Sequence, residues 1–128
     1  MTDRTLCGKI ECDITGVSGT EAEGEMTIDA GMLSAQGTIQ PGALVWFADM
    51  IATCLVLGGE QPQEGMDSVP EAITFNAQFL ANRGGGVLTA RARWIQRAKR
   101  MSTVRTEVRD AEGQILLDLT STHAGVAS

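Results

Sequence analysis

Thiols and imidazoles are scarce in this chain: its 128 residues hold three cysteines, Cys7, Cys12 and Cys54, and a single histidine, His123. An odd number of cysteines without a CxxC pair does not make a disulfide framework and points to a reducing compartment, so a cytoplasmic location is expected. One imidazole among scattered thiols also falls short of a zinc ligand set, and no metal is expected. The first residues, Met1-Thr2-Asp3-Arg4, lack a basic segment leading into an apolar core, so no signal peptide is read. Apolar stretches fall short of the roughly 20 residues that cross a bilayer, which leaves no membrane anchor. Internal repeats, low-complexity tracts and linkers are missing too. One domain over residues 1–128 follows, long enough to bury a core without disulfide or metal staples.

Hydrophobic residues make up 43% of the sequence and mean hydropathy is near zero, the balance of a folded chain rather than a disordered or membrane-embedded one. The formal net charge of −6 argues against a nucleic-acid partner. That charge is unevenly spread, with residues 1–82 at net −10 and residues 83–128 at net +4. Arg91, Arg93, Arg97, Lys99 and Arg100 fall within ten positions. Such a density suits the phosphates of a nucleotide-bearing molecule; it equally suits a solvated strand edge blunted by charge.

Two-residue alternation opens the chain. Ile10, Cys12 and Ile14 alternate with Glu11, Asp13 and Thr15, and Ala22, Gly24, Met26 and Ile28 with Glu21, Glu23, Glu25 and Thr27. These read as two strands of a hairpin turning at Gly16-Val17-Ser18-Gly19. Residues 30–41 read as a loop. From Ala43 to Leu57 only Asp49 and Thr53 are not apolar, and Gly58-Gly59 closes the run. This is a helix with C-terminal stops, apolar nearly all round, which something must wrap. After a polar loop at 60–71, β-type segments cover Ala72–Leu80, Val87–Gln96, Ser102–Arg109 and Gln114–His123. One buried helix among strands implies an α+β layout, an antiparallel sheet curled around the helix.

A carboxylate in the middle of that helix is costly unless something requires it. At about 100° per residue, Thr53 and Gly42 share the stripe of Asp49, with Trp46 beside them. Gly42 stands at the helix start, where unpartnered N–H groups and the positive end of the dipole stabilise an oxyanion or a polarised carbonyl. Pro41 ahead of it suits a first helical position. Seven residues of rise separate Gly42 from Asp49 by roughly 10 Å, so one carbonyl cannot touch both in the same subunit. If both act on one substrate, each must come from a different chain. The alternative for Asp49 is a buried acid tied to backbone or to a partner's cation, and for Thr53 a hydroxyl bonded to the preceding turn.

The stretch from Gly37, GTIQPGALVWFADMIATCLVL, resembles the PaaI-type acyl-CoA thioesterases of the hot-dog superfamily, whose pattern runs Gly-Thr-hydrophobic-His-Gly-Gly, six residues, then Asp. The later strands, from AITFNAQFL to LLDLTST, are similar as well, so the resemblance covers residues 15–125. It implies a hot-dog fold, homodimers that pair sheets edge to edge, frequently homotetramers, and hydrolysis of acyl-CoA thioesters with coenzyme A as part of the substrate and no separate cofactor. It also implies Asp49 as nucleophile or general base and Thr53 as the holder of the attacking water. Gly42 then polarises the thioester, with Gln40 or Gln36 as side-chain donors. Arg97, Lys99 and Arg100 would meet the CoA phosphates, and Thr74 or Asn76 would face the acyl pocket with Trp46. Three positions depart from the pattern: Ser34 replaces the usual Asn or Gln, Gln40 the His, and Pro41 the first Gly. Proline has no N–H, so the donor credited with polarising the thioester is missing at that position. Two other readings stand beside hydrolysis. One is a hot-dog protein that binds an acyl ligand without turnover. The other, a dehydratase or hydratase, ranks last because His123 lies far along the sequence from the helix.

Overall fold

The structure, a computed structural model, describes residues 10–58, 72–82, 86–98 and 100–124. The expected loop at 60–71, Gly59, most of the Gly-rich bend at 83–86, Lys99 and Cys7 lie outside the described residues. Six strands, β1 (Asp13–Val17), β2 (Glu21–Thr27), β3 (Ala72–Phe79), β4 (Val87–Gln96), β5 (Met101–Arg109) and β6 (Ile115–Ala124), form one antiparallel sheet in the order β1-β2-β4-β5-β6-β3. A 16-residue helix, α1 (Pro41–Val56), packs on one face of that sheet. This is the expected helix wrapped by an antiparallel sheet.

Alternation in the strands decides which side chains meet the helix. Ala22, Met26, Leu88, Ala90, Ala92, Val104, Val108, Leu117 and Leu119 are buried against α1, and the residues alternating with them are more exposed, except Leu116 at the start of β6, which is buried as well. From the helix, Leu44, Phe47, Ile51 and Leu55 are buried to within 1% of completely. Burying side chains of this size contributes roughly 1.5–3 kcal/mol each. The helix begins at Pro41, two residues before the expected Ala43, because proline's fixed φ and missing N–H suit the first helical position. It ends where Gly58 takes a positive φ of 71°, the left-handed conformation that glycine adopts without strain.

Two expectations need correction. The first hairpin uses only the second half of the expected Gly16-Val17-Ser18-Gly19 turn: β1 continues to Val17, with an irregular register between Ile14 and Gly16, and Ser18-Gly19-Thr20 connect it to β2. Ser18 makes the turn, its N–H donating to the Glu21 carbonyl at 2.8 Å and its Oγ accepting from the N–H groups of Thr20 and Glu21. Residues 30–41 are not plain loop either. A 3-10 turn at Ala30–Met32 precedes a small bridge between Leu33 and Ile39. Hydroxyls of Ser34 and Thr38, 2.9 Å apart, close the loop between them.

At Gly24 helix and sheet approach too closely for a side chain. A Cβ added there would collide with Ile51 Cδ1 and lie 2.8 Å from the Asp13 carbonyl oxygen. Backbone cannot yield as a flexible side chain can, so Gly24→Ala is expected to destabilise the fold by about 1–3 kcal/mol. Urea or guanidinium unfolding would read this as a lower midpoint with an unchanged slope; an unchanged midpoint would show that the helix can move away at no cost.

Candidate active site

Asp49 sits half-buried on the flank of α1. The Thr53 hydroxyl, one turn later, donates to its Oδ1 over a long 3.4 Å. Burial raises the Asp49 pKa above the ordinary carboxylate range, while His123 and the Thr53 hydroxyl pull it part of the way back. Trp46 is half-buried against the core one turn before it. Because the folded-state pKa exceeds the unfolded one, folding favours the protonated acid. That contribution is complete below the unfolded pKa and is lost as pH rises through the folded pKa. At neutral pH an ionised Asp49 therefore weighs against the fold. Asp49→Asn is expected to raise stability at pH 7, by no more than about 1 kcal/mol because solvent screens the half-exposed carboxylate, which is a few degrees in Tm. Melting curves from pH 7 downward should show the gain shrinking as the wild-type acid protonates; a variant less stable at pH 7 would mean that the carboxylate is held by a bond of its own.

His123 is the residue that the sequence reading set aside. Its distance along the chain from Asp49 proves irrelevant, because β6 carries it to the helix-facing side of the sheet, where it is wholly buried. Ser121, two residues earlier on the same face and also wholly buried, sets its Oγ 2.8 Å from His123 Nε2. Alternation could have found both, since Leu117, Leu119, Ser121 and His123 share one face at a period of two.

The helix start forms a second group. Gln40 is the N-cap residue, but its side chain makes no capping bond and donates instead to the Leu33 carbonyl at 3.2 Å. Gly42, second in the helix, is exposed, and a Cβ there would meet open space. Its N–H belongs to the first turn, which has no intrahelical acceptor. Gln36 is exposed on the same loop, and Ser34 bonds within it. Asn82, unnoticed in the sequence, pins this loop: its Oδ1 accepts from the Ile39 N–H at 2.9 Å and its Nδ2 donates to the Ile39 carbonyl at 2.7 Å.

The two groups lie at opposite ends of the sheet. Asn82 follows β3, and Leu80 bonds Leu116 at the start of β6, so the helix start is tied to that end. His123 pairs with Ser102 near the start of β5, placing it beside the bend that carries Arg97 and Arg100. Arg97 stacks on Trp94, 4.9 Å from the ring centroid, and Arg100 is exposed. Thr74 and Asn76 pair with Thr122 and Thr120 and point away from the helix. The alternating residues Phe75 and Phe79 oppose Ser121 and Leu117 on the helix side, yet remain 47% and 49% exposed on this edge strand. Phe47 of α1, by contrast, is wholly buried.

Arg91 and Arg93 are neither on an edge nor unengaged. They stand on β4, inside the sheet, on its outer face: Arg91 pairs with Glu23 at 2.9 Å and Arg93 with Glu107 at 3.2 Å. Arg105 forms a bidentate pair with Asp118 on the same face. An open depression of about 420 Å³ occurs there between Arg91, Arg93, Glu23 and Glu107, and Asp49 is not part of its wall. Among the described residues, no three His, Cys, Asp or Glu side chains are grouped to hold a metal ion, and no helix is long and apolar enough to cross a membrane.

No protein-family model matches the chain, and no curated protein matches it in sequence. Solved structures do match in fold. The Escherichia coli PaaI protein from the phenylacetic acid degradation operon has a TM-score of 0.79 at 19% identity, over 90% of this chain and 79% of that one. A Haemophilus influenzae thioesterase gives 0.77 at 20% identity, over 88% and 76%. Zebra fish thioesterase superfamily member 2 gives 0.76 at 15% identity, over 89% and 81%. The chain has the hot-dog fold of these proteins.

Proposed function

We propose that this hot-dog protein hydrolyses the thioester of an acyl- or aryl-acyl-CoA, with Asp49 as the catalytic carboxylate in a site shared between two subunits. The observation that carries this reading is Asp49 itself, a half-buried acid raised in pKa on an otherwise apolar helix. Perturbed carboxylates of this kind cluster at functional sites. In the ionised form Asp49 takes a proton from water as the water oxygen attacks the thioester carbon. The C–S bond then breaks, releasing a carboxylic acid and the CoA thiolate, and the thiolate leaves with little acid assistance. Thr53 supports the carboxylate. The Gly42 N–H, with Gln40 or Gln36 nearby, receives the charge that develops on the carbonyl oxygen.

The opposite placement of Gly42 and Asp49 within one chain supports a shared site. So does β3, an edge strand whose exposed Ile73, Phe75 and Phe79 suit pairing with a second copy in a homodimer or a homotetramer. The bend with Arg97 and Arg100 lies beside His123 and suits the CoA phosphates, for which the sequence also offers Lys99; Ser34, Trp46, Thr74 and Asn76 remain candidates for contacts with the acyl or pantetheine arm. CoA enters as part of the substrate, and no separate cofactor, metal, nucleic acid or membrane takes part in this cytoplasmic reaction.

Pro41 favours a second reading, binding of an acyl-CoA without turnover, because it removes a donor that the thioesterase pattern supplies. A thiol-release assay across short-chain, medium-chain and aryl CoA esters separates the two. Turnover that depends on Asp49 supports hydrolysis, whereas saturable binding without thiol release supports the binding reading.

A further inference from the structure

The face of the sheet that meets α1 is almost devoid of charge. Among the described residues, β2 presents Ala22, Gly24 and Met26 to the helix, and β4 presents Leu88, Ala90 and Ala92. From β5 come Ser102, Val104, Thr106 and Val108, and from β3 Phe75, Ala77 and Phe79. Just ahead of β1 the titratable group is the Cys12 thiol, pushed up to about 11 by burial, Cys54 and Asp13; the Cys54 thiol on α1 is raised by burial as well. Both thiols are therefore neutral near pH 7. Among the described residues that leaves one acid and one base where α1 packs on β6, Asp49 from the helix and the wholly buried His123 from the strand, near enough for the imidazole to act on the carboxyl. A wholly buried imidazole in such a boundary must have its hydrogen bonds provided, and Ser121 supplies one at 2.8 Å.

We propose that His123, held by Ser121, is a positioning residue for Asp49: its imidazolium faces the carboxylate across the helix–sheet boundary and keeps it ionised and oriented. Ser121 suits either charge state, because its hydroxyl oxygen accepts from Nε2–H when the ring is charged and its O–H donates to Nε2 when the ring is neutral. A positive partner counters the burial that would otherwise keep the acid protonated. The catalytic consequence rests on the hydrolase reading, but the pairing does not.

Because His123 is the chain's only histidine, its imidazole NMR signals are unambiguous, and the experiment needs no substrate. Titrating the full-length protein and its Asp49→Asn variant should show the His123 midpoint shifted downward in the variant, where the facing anion is gone. Coincident midpoints, or a ring that stays neutral throughout in both proteins, would overturn the pairing. A second arm uses hydrolysis: in His123→Gln the acid limb of the kcat/KM profile should move to higher pH, with the loss concentrated at its acid side and in kcat rather than KM. A limb that stays in place overturns the positioning role. If neither protein hydrolyses any CoA ester, the NMR arm still decides the pairing and the hydrolase reading fails separately.

Discussion

Asp49→Asn is expected to reduce kcat for CoA thioesters by about a hundredfold to ten-thousandfold, the range for losing a general base, while KM changes little. Asn keeps the volume and can still accept from the Thr53 hydroxyl, so the half-buried position remains filled. It cannot take a proton from water. The same variant is expected to be folded and somewhat more stable near neutral pH, so a loss of activity cannot be charged to unfolding. Circular dichroism and melting curves beside the thiol-release assay make that distinction. Wild-type turnover in the variant would remove Asp49 from the chemistry.

The second large effect concerns the helix start. Gly42 is exposed and a side chain there would meet nothing in its own subunit. The fold should therefore accept Gly42→Val, because valine is the better helix former of the two by roughly a few tenths of a kcal/mol. The thioester carbonyl should not, because branched bulk would stand between it and the Gly42 N–H. Losing one oxyanion donor costs on the order of 10²–10³ in kcat, and with Pro41 beside it no neighbouring N–H at the first helical position can substitute. Steady-state kinetics on the purified variant reads this directly; near-normal kcat would place the carbonyl elsewhere.

Much of this architecture is legible in the sequence, and the exceptions have physical causes. The strands and the helix announce themselves because burial on one face demands alternation of two and burial on all sides demands a continuous apolar run. Asp49 stands out for the same reason, as the one charge inside that run. What failed was distance. His123 looked remote because 74 positions separate it from Asp49, yet β6 runs beneath the helix and erases that separation. Asn82 was invisible because its role, bonding both backbone groups of Ile39, depends on a loop contact that no local pattern encodes. The crowd of arginines misled in another way: Arg91 and Arg93 are matched by Glu23 and Glu107 from neighbouring strands, partners that only the register reveals. Half-exposed pairs of this kind contribute little, up to about 1 kcal/mol each, and their weight lies in fixing which charges are already engaged. From sequence alone Phe75 and Phe79 could line a pocket or fill the core; they sit on β3, an edge strand among the described strands, and stay about half exposed.

The central claim is that one chain supplies the carboxylate and another the glycine N–H. Subunit complementation tests it most directly. Asp49→Asn and Gly42→Val proteins, each inactive alone, are unfolded together, refolded as a mixture and assayed for thiol release. In a two-fold dimer, half of the random pairs are mixed and each mixed pair has one intact site, so activity should return to about a quarter of wild type. A mixture no more active than its two components would contradict the account.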